Sequence, residues 1–313
     1  MSVLITDFIT NPIIEKKILG KHLVKKYSSK TSILLVWHQK CNKKYLDKFP
    51  NLKAIIRYGV GIDDIDIELA KKRSIKVANT PDYGVDEVSD TALSFLLSIT
   101  RKTQEYNSSL RSIHKFNNKW QETALIDTKR SSSYKVCVIG AGRIGSLFLL
   151  KARAIGFKTY FYDPYLPSGY HKVLNAKRIN NIKDIGKFCN IISLHCPLNE
   201  ETNNIINNDF LKILKRGSVI INTARGGLVD EESISKFIKL KNITYATDVL
   251  HTEPPEENNK LIKLWRNNKY TNQIIINPHM AFYSKQSFIE MRESAAKNAL
   301  QFIQKGNLLN RIV

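Results

Sequence analysis

Short apolar runs alternate with segments of helical spacing along the chain. Strand-length runs stand at Ser2 to Ile5, Ile33 to Val36, Ala54 to Tyr58 and Lys76 to Ala78, with helix-like sequence between them. Alternation of this kind predicts parallel strands, each followed by a helix that covers the sheet. These four runs predict one small open sheet. From Val85 to about Tyr106 the chain combines an acidic start, favoured by the positive end of a helix dipole, with apolar residues at helical spacing. This segment is expected to be a connecting helix.

A second block opens with the strand YKVCVIG at 134–140. Further strands are predicted at Thr159 to Tyr162, Ile191 to His195, Val219 to Asn222, Thr244 to Asp248 and Ile274 to Ile276. Six such strands match a dinucleotide-binding sheet. The segment from Ser287 to Gln304 is again amphipathic and helical; packed back on the first block, it makes that domain discontinuous. The expected fold is therefore α/β with two doubly wound parallel-sheet domains. Residues 1–101 and 286–313 form the smaller one, and residues 102–285 are inserted into it.

Composition narrows the picture. The 313 residues are 42% hydrophobic, enough for two cores. The formal charge of +21 comes mostly from dispersed lysines in short clusters such as Lys16-Lys17 and Lys71-Lys72-Arg73. No recognition motif or basic aromatic groove accompanies them, so weak, salt-sensitive attraction to polyanions is expected and a specific nucleic-acid partner is not. Cys41, Cys137, Cys189 and Cys196 lack metal-site spacing and predict reduced, buried thiols with no metal. The opening MSVLITDFIT has no basic leader and no apolar run reaches membrane-spanning length. A cytoplasmic address without a membrane is the expectation.

Gly140, Gly142 and Gly145 form GAGRIG between an apolar strand and a helix-like segment. In such a loop the first glycine makes the turn, the second admits a pyrophosphate to the backbone and the third lets helix and strand pack closely. Asp163 follows 18 residues after the third glycine, ending the strand TYFYD, where an acid can bond ribose hydroxyls and repel a 2′-phosphate. The larger domain is thus expected to be a Rossmann-type nucleotide-binding domain, with NAD as cofactor. Two competing readings are that Asp163-Pro164 only begins a turn and that Arg143 is an exposed surface residue rather than a pyrophosphate contact.

Three further motifs each follow a predicted strand: NTARGGLVD at 222–230, DVLHTEPP at 248–255 and NPHMAFY at 277–283. Ligands in open α/β sheets bind beyond the carboxyl ends of the strands, which makes Arg225, Glu253 and His279 a candidate catalytic set. Taken singly, each has a structural reading: Arg225 in a buried ion pair, Glu253 in a turn before two prolines, His279 in a strand-end loop.

Together these motifs, with RYGVGIDDID at 57–66 and HCPLNEETNNIIN at 195–207, resemble the D-isomer-specific 2-hydroxyacid dehydrogenase family over nearly the whole chain. FYDPYLPSG, NTARGGLVDE and PHMAFYS followed by IEMRESAA are most similar to its C-terminal binding protein branch and bacterial relatives. The resemblance implies a flavodoxin-like fold for the smaller, substrate domain. It also implies an NAD-dependent enzyme that moves a hydride between the nicotinamide and a small 2-oxo or 2-hydroxy acid, of the D-2-hydroxyacid dehydrogenase or glyoxylate/hydroxypyruvate reductase type. Arg225 would bind substrate, and His279, paired with Glu253, would exchange the proton. Arg57, Val60, Gly61 and Phe282 would bind substrate, the Val60 and Gly61 amides meeting its carboxylate. Gly140, Gly142, Arg143, Ile144, Gly145, Asp163, Cys196, Pro197, Thr202, Thr223, Ala224, Arg225, Asp248 and His279 would contact NAD.

The resemblance further implies a homodimer joined through the nucleotide domain and the segment from Val85 to about Trp120, which carries the aromatics Phe116 and Trp120. Two positions depart from the pattern: Asp90 stands where many relatives have glutamate, and Phe282 where the most similar branch often has tryptophan. The alternatives to a 2-oxo acid enzyme are an NAD(H)-sensing, peptide-recruiting dimer of the C-terminal binding protein kind and a dehydrogenase of another small anion such as phosphite.

Overall fold

A computed structural model describes residues 1–111, 120–121 and 128–313. The chain divides into two compact units, Met1–Gly84 with Phe282–Val313, and Val85–Ala281.

The first unit holds a parallel sheet of β1 (Ser2–Ile5), β2 (Leu23–Val24), β3 (Thr31–Val36), β4 (Ala54–Arg57) and β5 (Lys76–Ala78), in the order β2-β1-β3-β4-β5. That is the flavodoxin-like order. Every residue of β3 is buried, because alternate side chains serve two separate cores. Ile33 and Leu35 pack with Met291, Ala295 and Phe302 of the helix Lys285–Lys305, whereas Leu34 and Val36 pack with Leu46, Phe49 and Ile65 on the other face. The tail closes the β5 edge: Arg311 bridges Ala78 in antiparallel sense, and Ile312 donates its N–H to the Val77 carbonyl at 2.8 Å.

The second unit is built on β6 (Lys135–Ile139), β7 (Lys158–Tyr162), β8 (Lys177–Arg178), β9 (Ile191–Leu194), β10 (Val219–Asn222), β11 (Thr244–Thr247) and β12 (Ile274–Ile276). All are parallel, in the order β12-β11-β10-β9-β6-β7-β8. The chain winds outward in both directions from β6 and β9, and the carboxyl ends of such a pair form the crevice where dinucleotides bind. The described residues give this sheet one strand more than the six expected. The addition is β8, a two-residue edge strand whose sequence, Lys-Arg, carries no apolar signal.

The units divide at 84/85 and 281/282 rather than at the expected 101/102 and 285/286. Packing gives the reason: the helix Val85–Arg101 buries Ala92, Phe95 and Leu96 against Val136, Val138, Phe148 and Ile221 of the second unit. Lys151 reinforces this docking from the helix Arg143–Ala154, donating to Asp90 Oδ1 at 2.6 Å and to Ser89 Oγ at 2.7 Å. The shorter acid at Asp90 therefore serves an ion pair inside its own unit. The expected single helix to Tyr106 is broken at Lys102, which has φ 58°, and resumes at Thr103–Arg111. Phe116 lies outside the described residues, and Trp120 is exposed.

All four cysteines are buried and unbridged. Burial pushes the thiols of Cys41 and Cys196 up to about 12, so both stay protonated. Among the described residues, no helix is long and apolar enough to cross a membrane.

Candidate active site

The glycine loop begins where β6 ends. Gly140 has φ 88°, and a Cβ there would lie 2.6 Å from the Cys196 backbone nitrogen, at the end of β9. Only glycine tolerates both conditions. A Cβ on Gly145 would fall 2.1 Å from the Gly140 carbonyl oxygen and 2.9 Å from Val138, so its absence lets helix and strand meet. Gly142 differs: it is exposed and faces open space, as the residue before a helix that receives a phosphate should. It is the N-cap of Arg143–Ala154 and supplies no capping side chain, and a helix start of this kind favours a phosphate.

Asp163 stands just past β7 and reaches into the same loop. Its Oδ2 accepts the Ala141 N–H at 2.9 Å and its Oδ1 accepts the Tyr165 N–H at 3.0 Å. The negative charge thus lies beside the glycine turn. Beyond β9, Cys196 packs under Gly140, Pro197 is exposed, and Thr202 donates to the Pro197 carbonyl at 2.6 Å, closing a tight loop. Beyond β10, the Thr223 hydroxyl is buried and has no hydrogen-bond partner among the described residues. Such an orphan carries a desolvation cost that a bound polar group would remove. Together with the open Gly142 and the uncapped helix, it fits this crevice to a dinucleotide.

The catalytic candidates come from three loops of the same unit. Arg225 follows β10 and is half-buried; its backbone is fixed by the fully buried Asn222, whose Nδ2 donates to the Arg225 carbonyl at 2.9 Å and whose Oδ1 accepts the Ala224 N–H at 3.1 Å. The guanidinium donates to the Ala224 carbonyl at 2.7 Å. A Cβ on Gly226 would lie 2.0 Å from the Leu250 carbonyl, so this glycine lets the Arg225 turn lie directly on the loop that carries Glu253.

Glu253 Oε1 accepts the Leu250 N–H at 2.8 Å, and Oε2 lies 2.6 Å from His279 Nδ1. The two side chains keep 37% and 43% of their surface exposed, so a substrate can reach them. Burial alone would raise the Glu253 carboxyl. The His279 hydrogen bond and charge, the Leu250 amide and the Arg225 charge outweigh it and hold the group below the usual carboxylate range.

Asp248 builds the turn beneath His279. It is 1% exposed, and its oxygens accept the Met280 and Ala281 N–H groups at 3.0 and 2.8 Å, while its own carbonyl accepts the His279 N–H at 2.7 Å. Desolvation raises its pKa against those amides. His279 has φ 56°, a conformation this clamp maintains. Asp248 thus shapes the turn that presents the imidazole. Asn222 and Asp248 in this orienting role were missed from the sequence, although a polar residue ending an apolar strand was the available signal. A second histidine, His195, is no rival for the proton: desolvation pushes its pKa down, and its Nε2 lies 2.8 Å from Ser193 Oγ.

The remaining predicted residues belong to the first unit. Gly59 has φ 120° and gives its N–H to Thr80 Oγ1. Arg57 donates to the Tyr58 carbonyl at 2.5 Å, and exposed Val60 accepts from Asn79 Nδ2 at 2.7 Å. Gly61 is half-buried in the same loop. Phe282 sits in an aromatic cluster, with ring centroids 6.1 Å from Trp37 and 6.0 Å from Tyr83.

Comparison with known proteins matches residues 93–281 to the sequence model of the D-isomer specific 2-hydroxyacid dehydrogenase NAD-binding domain. The chain is 32% identical over 268 residues to C-terminal-binding protein 1 of Caenorhabditis elegans, covering 84% of this chain and 36% of that protein. It is 32% identical over 225 residues to D-3-phosphoglycerate dehydrogenase of Methanocaldococcus jannaschii, covering 70% of this chain and 41% of that one. This chain therefore spans well under half the length of these two relatives. Among solved structures it is similar to D-lactate dehydrogenase from Aquifex aeolicus complexed with NAD and lactic acid, with a TM-score of 0.84 and 25% identity over 98% of this chain and 99% of that one.

Proposed function

The chain belongs to the D-isomer specific 2-hydroxyacid dehydrogenase family, with its NAD-binding domain at 93–281, and on that premise we propose that it reversibly reduces a small 2-oxo acid with NADH. The observation that carries this reading is the 2.6 Å contact between Glu253 and His279 Nδ1, with the Arg225 charge acting on the same carboxylate.

When bound, the nicotinamide supplies a hydride to the carbonyl carbon of the substrate, or takes it back from the alcohol. Arg225 binds the substrate carboxylate and carbonyl oxygen, stabilising the negative charge that develops there. With Nδ1 held by Glu253, the other ring nitrogen of His279 gives its proton to that oxygen, and the product is the 2-hydroxy acid. The imidazole is left neutral and regains a proton from solvent. Glu253 keeps the tautomer and orients the ring without itself taking the proton. Arg57, the Val60 and Gly61 amides and Phe282 are proposed to bind substrate. Gly140, Gly142, Arg143, Ile144, Gly145, Cys196, Pro197, Thr202, Thr223, Ala224 and Asp248 are proposed to line the cofactor. Asp163, a fixed anion beside the glycine turn, is proposed to bond the ribose and favour NADH over NADPH.

We further place the protein in the cytoplasm as a homodimer without a specific nucleic-acid partner. A second reading, a protein-binding dimer that responds to NAD(H), is favoured by the likeness to C-terminal-binding protein 1. Oxidation of another small anion such as phosphite keeps the same machinery. The deciding experiment is a screen of glyoxylate, hydroxypyruvate, pyruvate and longer 2-oxo acids with NADH. Turnover of at least one is expected; inactivity on all of them with NADH binding demonstrated would favour the protein-binding reading.

A further inference from the structure

Glu231 begins the helix Glu231–Lys241, directly after the N-cap Asp230. Asp230 already accepts the Glu232 and Ser233 N–H groups, at 3.1 and 3.3 Å, so the helix start is capped without Glu231. The Glu231 carboxylate turns instead to the loop that carries Glu253. Its Oε1 accepts the His251 N–H at 2.8 Å, and its Oε2 accepts from Asn259 Nδ2 at 2.6 Å. One side chain therefore grips the loop on both sides of Glu253. The Asn259 end is firm, since its Oδ1 caps the next helix by accepting the Leu261 and Ile262 N–H groups at 2.8 and 3.2 Å.

The gripped segment matters because of what touches it. Leu250 gives its N–H to Glu253 Oε1, and the next N–H along the chain, that of His251, goes to Glu231. On its other side the Leu250–His251 peptide lies on Gly226, where a Cβ would come within 2.0 Å of the Leu250 carbonyl and 2.4 Å of the His251 nitrogen. The peptide that sets the Glu253 carboxylate is thus clamped between the Arg225 turn and Glu231. Among the described residues this stretch is held otherwise mainly at Val249, which donates to Thr247 Oγ1 at 3.1 Å and accepts from it at 2.6 Å, while Thr252 and Glu253 are exposed.

We propose that Glu231 is a positioning residue for the Glu253–His279 pair, fixing the loop so that the carboxylate meets Nδ1. The proposal rests on the reading of that pair as the acid–base device of the enzyme. The competing role is purely structural, a negative charge that stabilises the helix start through its dipole. The two differ in what they do to His279: a helix-start charge affects unfolding, whereas a loosened clasp weakens the pairing of Glu253 with the imidazole.

The test follows the ring nitrogens of His279 by NMR at one fixed pH in the full-length protein, in the wild type, Glu231→Ala, Glu231→Gln and, as a reference for full loss of the carboxylate, Glu253→Gln. Glutamine can still accept the His251 N–H but can no longer accept from Asn259 in the same geometry. In Glu231→Ala the His279 ring-nitrogen resonances are expected to move toward their Glu253→Gln positions, with a smaller move in Glu231→Gln. Turnover on the substrate found by the screen should fall about tenfold in Glu231→Ala with unchanged affinity for NADH. Unmoved His279 ring-nitrogen resonances in both variants overturn the proposal, whatever happens to thermal stability. Should Glu231→Ala fail to fold, Glu231→Gln decides by the same criterion. The NMR readout needs no turnover, so even a protein inactive on every 2-oxo acid, which would contradict the enzyme reading, still reveals whether the clasp acts on His279.

Discussion

The glycine loop and the catalytic loops reach their geometry by different routes. In GAGRIG most constraints lie within one strand, one turn and one helix: Gly140 turns at positive φ, Gly145 lets helix and strand meet and Gly142 leaves an opening, while one contact, that of Gly140 with Cys196, reaches the neighbouring strand end. In the catalytic set each side chain leaves a different strand, and the loops are fixed by one another. Gly226 admits the Leu250 peptide, Asp248 folds the His279 turn, and Glu253 joins the two. The first site is largely a property of a short sequence, whereas the second exists only once β10, β11 and β12 are aligned.

This difference predicts where a single methyl does most harm to chemistry. Gly226→Ala should push the Arg225 turn off the Leu250 peptide and lower turnover about a hundredfold, the cost of a displacement near 1 Å, while NADH titration stays close to normal. An equal loss of cofactor affinity would show that the two regions are not separable. Asp163→Ser belongs to the local site and should have a smaller effect, narrowing the preference for NADH over NADPH by about tenfold without altering the pH profile of reduction. Equal use of both cofactors by the unaltered protein would contradict the proposed role of Asp163.

The same contrast explains what the sequence made legible. The strands of both sheets announce themselves because parallel strands buried on two faces are continuous apolar runs, as in SILLV and SVIIN. The edge strands β2 and β8 do not: each has two residues, and neither is buried. The helix Val85–Arg101 showed an apolar face but not which sheet it covers, so the expected boundary fell 17 residues late. GAGRIG was readable as a unit. Arg225, Glu253 and His279 were candidates by their place after successive strands and by the joint resemblance, but no spacing along the chain predicts that a carboxylate at 253 meets an imidazole at 279. The bonds from Ala141 to Asp163 and from Ala281 to Asp248 were invisible for the same reason: a sequence names the acid but not the amide that folds onto it.

The Glu253–His279 pair also fixes the expected response to pH. Glu253 has a lowered pKa in the folded protein, so its contribution to stability is present above its unfolded pKa and is lost as pH falls through the folded one. Reduction should fail on the alkaline side as well, since reducing a 2-oxo acid with NADH consumes a proton. The most direct measurement is the pH profile of NADH-dependent reduction under conditions where chemistry limits the rate, in the wild type, Glu253→Gln and His279→Gln. The account predicts an alkaline limb that moves to lower pH in Glu253→Gln, and that vanishes in His279→Gln along with about a hundredfold or more of the turnover, while NADH affinity changes little in either. Near-normal turnover with the same alkaline limb in His279→Gln would place the proton donor elsewhere and contradict the account.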